Sequence, residues 1–241
     1  IDLGVIDSYT PHVIEGAANV ELVVVATPSG VIVETINKIV PYVANGCIIT
    51  DVGSVKEEIV KGLEKSIPEN IYFIGGHPIA GTEDSGIDAA DPSLFIGHKC
   101  VLTLTPETNR GALERSKTLW EKVGCKVILM DAATHDKIFA AVSHLPHIVA
   151  FSLINAIMRM EDSIEDIVSY SGGGLKDFTR VAASHPIMWR DISLMNRKNI
   201  LNDIRHFESS LNEIKSAIAN GDSEKLVSEF EKSRRVRRSM S

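Results

Sequence analysis

Three short stretches place reactive or ligand-binding residue types directly after runs of β-branched apolar residues. They are Ala26-Thr27-Pro28, Asp51-Val52-Gly53-Ser54 and Gly75-Gly76-His77-Pro78. An imidazole titrates near neutral pH and suits general acid/base work, so His77, set between Gly76 and Pro78, is the candidate base. Gly53 and Ser54 open a helix whose first amides suit an anion. Taken singly, each turn is an ordinary strand-to-helix connection; three in series point to a binding edge. A second chemistry is open to His144 and His147, which stand three apart and can share a helix face as metal ligands of a hydrolase. No H-E-x-x-H pattern occurs and no carboxylate-rich motif completes a ligand set, so no metal site is expected. The dipeptide His135-Asp136, preceded by Thr134, reads as the cap region of a helix start.

The elements that must position these residues follow from the hydrophobic pattern. Five nearly continuous apolar runs, 21–28, 46–53, 70–78, 99–106 and 125–131, have the pattern of strands buried on both faces. Between them lie helical segments: one after Ser29, which can cap it, one through VKEEIVKGLEKS, and one over Thr105 to Val123. This alternation predicts an α/β fold with a doubly wound, Rossmann-type parallel sheet, whose ligands sit beyond the carboxyl ends of the strands. No G-x-G-x-x-G joins a strand to a helix, and the Gly172-Gly173-Gly174 run does not follow an apolar strand. The expectation is that the first strands and the glycine turn precede residue 1. From 131 onward the period becomes helical. THDKIFAAVSHLPHIVAFSLINAIMRM reads as a buried central helix, interrupted at Pro146 beside His144 and His147. Two amphipathic helices follow, with Gly221 ending the first and Asp222 capping the second. The basic cluster Arg234, Arg235, Arg237 and Arg238 reads as a solvated helix end. The domains are therefore 1–130, a partial nucleotide-binding domain, and 131–241, a helical substrate and dimerisation domain.

Composition narrows the function classes. The 241 residues carry a net charge of −7, which argues against nucleic acid as the main partner. No run reads as long and apolar enough to cross a bilayer, since IVAFSLINAIM meets Arg159 at once, so no membrane partner is expected. Three cysteines, odd in number and without a C-x-x-C pair, fit a reducing, cytoplasmic compartment.

Five motifs, Asp51-Val-Gly-Ser-Val-Lys56, Gly75-Gly-His-Pro-Ile-Ala-Gly-Thr-Glu83, Ser143-His-Leu-Pro-His147, Gly172-Gly-Gly-Leu-Lys-Asp-Phe-Thr-Arg180 and Pro186-Ile-Met-Trp-Arg-Asp191, occur in order and at suitable spacing. Together they resemble the prephenate dehydrogenase family across nearly the whole chain. The resemblance implies a Rossmann-type domain followed by a helical dimerisation domain, and an NAD-dependent oxidative decarboxylation of prephenate to 4-hydroxyphenylpyruvate in tyrosine biosynthesis, with NADP left open. His77 would accept the hydroxyl proton, and Ser54 would hydrogen-bond to it and to the substrate hydroxyl. Arg180 would bind a substrate carboxylate, His147 the side-chain end, Thr82 and Glu83 the mouth, and Gly173 would leave room for ring or nicotinamide. Thr27, Pro28, Gly53 and Ser54 would touch the cofactor, while Trp189 would pack. A homodimer through the helical domain is implied. The competing readings are arogenate dehydrogenase, a non-catalytic module binding an anionic metabolite, and the metal-dependent hydrolase.

Overall fold

The computed structural model describes residues 4–81, 86–160 and 166–240. Residues up to Arg197 form one compact unit and those from Lys198 a second. In the first unit a short helix α1 (Val13–Ala17) leads into strand β1 (Leu22–Val25), helix α2 (Ile32–Ile39), β2 (Ile48–Asp51), α3 (Glu57–Leu63) and β3 (Tyr72–Ile74). These three strands are parallel, in the order β1-β2-β3. The run at 70–78, expected as one strand, is two: β4 (Gly76–Ile79) pairs antiparallel with β5 (Lys99–Leu104), which pairs parallel with β6 (Lys126–Asp131). The switch falls at Gly75-Gly76. A Cβ on Gly76 would lie 2.6 Å from the Asp51 carbonyl oxygen, and one on Gly75 would collide with Thr103 Oγ1. Only glycine lets the chain pass this close to β2 and β5.

The helices pack on this framework through two apolar clusters among the described residues: one joins Ile32, Ile36, Ile49, Val55, Ile59 and Leu63 to Trp189 and Ile192, the other joins Ile48, Ile74, Cys100 and Leu102 to Ala112 and Trp120. Their starts differ from expectation in detail. Ser29 makes no capping bond; it lies buried in a 3₁₀ turn (Ser29–Val31) ahead of α2. The helix expected from Thr105 begins later, as α4 (Arg110–Lys122), because Thr105 and Thr108 close a turn and Asn109 caps the helix by accepting from Ala112 N–H at 2.9 Å.

The central helix runs from α5 (Ala132–Phe139) through a π-helical turn (Ala140–His144) into α6 (Leu145–Met160). The wide turn just before Pro146 carries the chain past the donor that proline lacks, so the helix continues rather than breaking. Two expectations need correction here. The continuous helix 132–160 is, by length and composition, apolar enough to cross a membrane; weighing only the run that ends at Arg159 left out the apolar half before it. It is also not buried all round: His135, Asp136, Phe139, Ala140, His144 and Ala150 face inward, while Val142 and Met158 are exposed. Three inward polar side chains, His135, Asp136 and His144, are each held by contacts within the protein.

After it come α7 (Gly173–Thr179) and α8 (Pro186–Met195). The second unit consists of most of α9 (Arg197–Ala219) together with α10 (Ser223–Ser239). Gly221, at φ +64°, turns the chain between them, and Asp222 caps α10 by accepting from Lys225 N–H at 2.9 Å.

Beneath the sheet edge, the Lys56 ammonium and the Asp51 carboxylate form an ion pair with no solvent exposure. Asp51 also accepts from the Gly53 and Gly76 amides, at 2.9 and 3.0 Å. Lys56→Met would strand that carboxylate, and a loss of about 3–5 kcal/mol is expected in denaturant unfolding. The double variant Lys56→Met, Asp51→Asn should recover much of it; a single variant as stable as the parent would show the pair to be incidental.

Candidate functional site

The site is built around Asp136, in the first turns of α5. Its Oδ1 accepts from the Lys56 amide at 2.7 Å and its Oδ2 from the Glu57 amide at 3.0 Å. The N-terminus of α3 therefore already holds an anion, and that anion is the protein's own carboxylate. Of the Gly53-Ser54 turn, whose amides were expected to suit an anion, the Gly53 N–H goes to Asp51, while Asp136 takes the Lys56 and Glu57 amides beyond it.

From Asp136 a line of polar contacts runs to His77. His135 Nδ1 lies 2.7 Å from Asp136 Oδ1, and His135 Nε2 lies 2.8 Å from His77 Nδ1. Phe139 packs on both rings, with centroid separations of 4.8 Å to His77 and 4.5 Å to His135. Burial holds the His77 pKa well below the ordinary histidine range, and the neighbouring His135, Lys56 and His144 push the same way. The His77 ring is therefore neutral at physiological pH.

A second branch leaves Asp136 through its backbone. The Asn196 amide donates to the Asp136 carbonyl at 2.7 Å and sits 3.1 Å from His144 Nδ1. His144 is buried, and its Nε2 meets no hydrogen-bond partner among the described residues. The backbone of Ser54 lies beside this ring and favours its charged form, but burial dominates and the pKa falls to about 4. The Ser54 hydroxyl has no hydrogen bond to His77 among the described residues; the His77 partner is His135.

His147, half-buried, is oriented by the Ser143 carbonyl 2.8 Å from its Nδ1. Its ring stacks on Trp189 with centroids 3.7 Å apart and planes inclined by 22°. Burial lowers its pKa, and the Arg180 charge adds to the effect, which places the exposed Arg180 guanidinium near this ring. Gly173 is exposed at the first turn of α7, with open space where a Cβ would stand. Just beyond β1, Thr27 Oγ1 is buried without a hydrogen-bond partner among the described residues, and Pro28 beside it is exposed. Thr82 and Glu83 lie outside the described residues. His144 and His147 make separate contacts, and no group of three or more potential metal-ligating His, Cys, Asp or Glu side chains occurs among the described residues.

Sequence reasoning missed His135, Asp136 and Asn196 as members of the site, and treated Lys56 only as part of a motif. Asp136 and the amide it holds are 80 positions apart, so no local spacing reports the contact.

A Rossmann-like sheet followed by helices, with a buried neutral histidine at a glycine-lined strand switch, defines a nucleotide-dependent dehydrogenase. The chain belongs to the prephenate dehydrogenase family. Residues 1–129 match the family model described as prephenate dehydrogenase, nucleotide-binding domain, and residues 131–232 match prephenate dehydrogenase, dimerization domain. A cyclohexadienyl dehydrogenase of Zymomonas mobilis is 35% identical, over 96% of this chain and 79% of that protein. The prephenate dehydrogenase of Bacillus subtilis is 33% identical, over 95% of this chain and 62% of that protein. A crystal structure of prephenate dehydrogenase from A. aeolicus, in complex with hydroxyphenyl propionate and NAD+, superposes with a TM-score of 0.94 at 39% identity, covering all of this chain and 84% of that one.

The buried imidazoles make stability depend on pH. Unfolded, His144 titrates near 6.5; folded, near 4. Below about pH 6.5 the unfolded chain takes up a proton that the folded ring refuses, so its contribution is complete above that pH and is lost as pH falls to about 4. The loss is on the order of 3 kcal/mol for this one residue. Denaturant midpoints should fall steadily across that window and less steeply for His144→Gln. A flat profile in the parent protein would contradict the assignment.

Proposed function

We propose that this chain carries the active site of an NAD-dependent prephenate dehydrogenase, which converts prephenate to 4-hydroxyphenylpyruvate and carbon dioxide in tyrosine biosynthesis. The observation that carries the reading is His77: buried, neutral, hydrogen-bonded through Nδ1, and without a hydrogen bond at Nε2 among the described residues. A neutral imidazole with a free nitrogen can take the substrate's hydroxyl proton. Bound NAD supplies a hydride acceptor for the carbon that bears this hydroxyl. Thr27, Pro28, Gly53 and Ser54 border the nucleotide side, and the orphaned Thr27 Oγ1 is a buried polar atom suited to meeting that ligand. Arg180 pairs with a substrate carboxylate, for which a guanidinium offers two parallel donors. His147, held flat against Trp189, meets the substrate's side-chain end, and Gly173 leaves space for the ring.

The nucleotide-binding part comprises residues 1–130 and the substrate and dimerisation part 131–241. A homodimer through the helical part is supported by the family model's description and by the exposed apolar residues Val142, Leu211, Ile218, Val227, Phe230 and Val236. A cytoplasmic location fits the three free, buried cysteines. A second reading, oxidation of arogenate, is favoured by similarity to an arogenate dehydrogenase of Synechocystis, 29% identical at a TM-score of 0.78 over 92% of this chain and 79% of that one.

Assays pairing prephenate or arogenate with NAD or NADP should give fastest reduced-nicotinamide formation with prephenate and NAD. Arogenate turnover alone would select the second reading, and silence in all four from folded protein would reject both. His77→Asn should lower kcat by about 10²–10⁴-fold while prephenate still binds. Near-normal turnover would remove His77 as the base. Arg180→Ala should raise KM roughly tenfold or more through loss of the charge-assisted pair; an unchanged KM would place the carboxylate elsewhere.

A further inference from the structure

We propose that Asp136 and His135 act as a positioning relay that fixes the tautomer of His77, keeping its proton on Nδ1 and its lone pair on Nε2; this rests on reading His77 as the base. The argument starts at the buried end. Asp136 accepts two backbone N–H groups at the N-terminus of α3, an environment that favours the carboxylate. A carboxylate offers only lone pairs, so the contact of 2.7 Å to His135 Nδ1 requires the proton to sit on that nitrogen. His135 has no solvent exposure and burial disfavours its charged form, so it carries one proton and Nε2 is bare. That bare nitrogen lies 2.8 Å from His77 Nδ1, which must therefore be the donor. With one proton on a neutral ring, His77 Nε2 is left as an acceptor.

The order of groups matters. One imidazole between carboxylate and base transmits the polarity of the carboxylate unchanged, because each neutral ring accepts at one nitrogen and donates at the other. Phe139 packs against both rings and keeps them from turning over. When the substrate O–H bond breaks and an N–H bond forms at His77 Nε2, the new positive charge lies at the end of a polarised chain that terminates in Asp136. No proton has to move along that chain. Lys56 opposes that positive charge, and the Asp51 carboxylate paired with it offsets part of the opposition.

The direct test is the ¹⁵N chemical shift of the ring nitrogens in the ¹⁵N-histidine-labelled protein near neutral pH, with His77 and His135 assigned from single variants. The relay requires a pyridine-like Nε2 and pyrrole-like Nδ1 on both rings. A pyrrole-like Nε2 on His77 overturns it. This reading needs no substrate, so it stands or falls apart from the proposed reaction. The kinetic arm compares His135→Leu with His135→Gln, whose amide can donate to Asp136 and accept from His77. His135→Leu should lower kcat at least about tenfold with KM changed less than about threefold, because geometry at the base is lost while the binding groups remain. His135→Gln should regain most of the loss and keep the His77 shift pattern. Parent-like kcat in His135→Leu, or equal losses in both variants, would overturn the proposal. If His135→Leu does not fold, the glutamine variant and the parent spectrum decide.

Discussion

One buried carboxylate organises this molecule. Asp136 faces the N-terminus of α3, takes the Lys56 and Glu57 amides, and orients His135; through its carbonyl it also holds Asn196, which touches His144. An ionised group without solvent contact is tolerated only when its lone pairs are met. Here the donors come from a helix end in the sheet region and from a histidine on the central helix itself. Satisfying one charge therefore locks the central helix to the strand-to-helix turn that carries Ser54, and it does so at the place where His77 needs a fixed neighbour.

The close approach of β2, β4 and β5 serves the same end. Gly75 and Gly76 let the chain leave one sheet and join the next within two residues, so that His77 emerges beside α5 and not in line with β3. The Asp51 carboxylate binds Gly76 N–H on one oxygen and Gly53 N–H on the other. Two turns expected to meet at a common edge are thus tied to one side chain, and the buried ammonium of Lys56 balances its charge. The π-helical turn before Pro146 is the matching device on the helical side. It carries the helix through a residue that cannot donate, and it sets His144 on the buried face while His147 stacks on Trp189.

The sequence by itself determined the class of fold, because strand and helix periodicities survive any detail of packing. It also determined the family, because five motifs in order are too many to coincide, and it offered His77 as the candidate base, because an imidazole just beyond a strand end lies where such sheets bind ligands. Local chemistry was legible at Asp222 and Gly221, where a cap and a positive φ act within a few residues. The tertiary structure alone decided what holds His77. The 70–78 run splits between sheets at Gly75-Gly76, and although two glycines in a strand hint at a break, the antiparallel partner that the second half finds in β5 is set only by packing. The cap of α5 is Asp131, which accepts from Thr134 N–H at 2.8 Å, and His135-Asp136, read as part of a helix cap, lies inside the helix. Its role depends on amides about 80 positions away and on a ring 58 positions away, and contacts at that separation are set by how the sheet and the central helix pack, which no local pattern encodes.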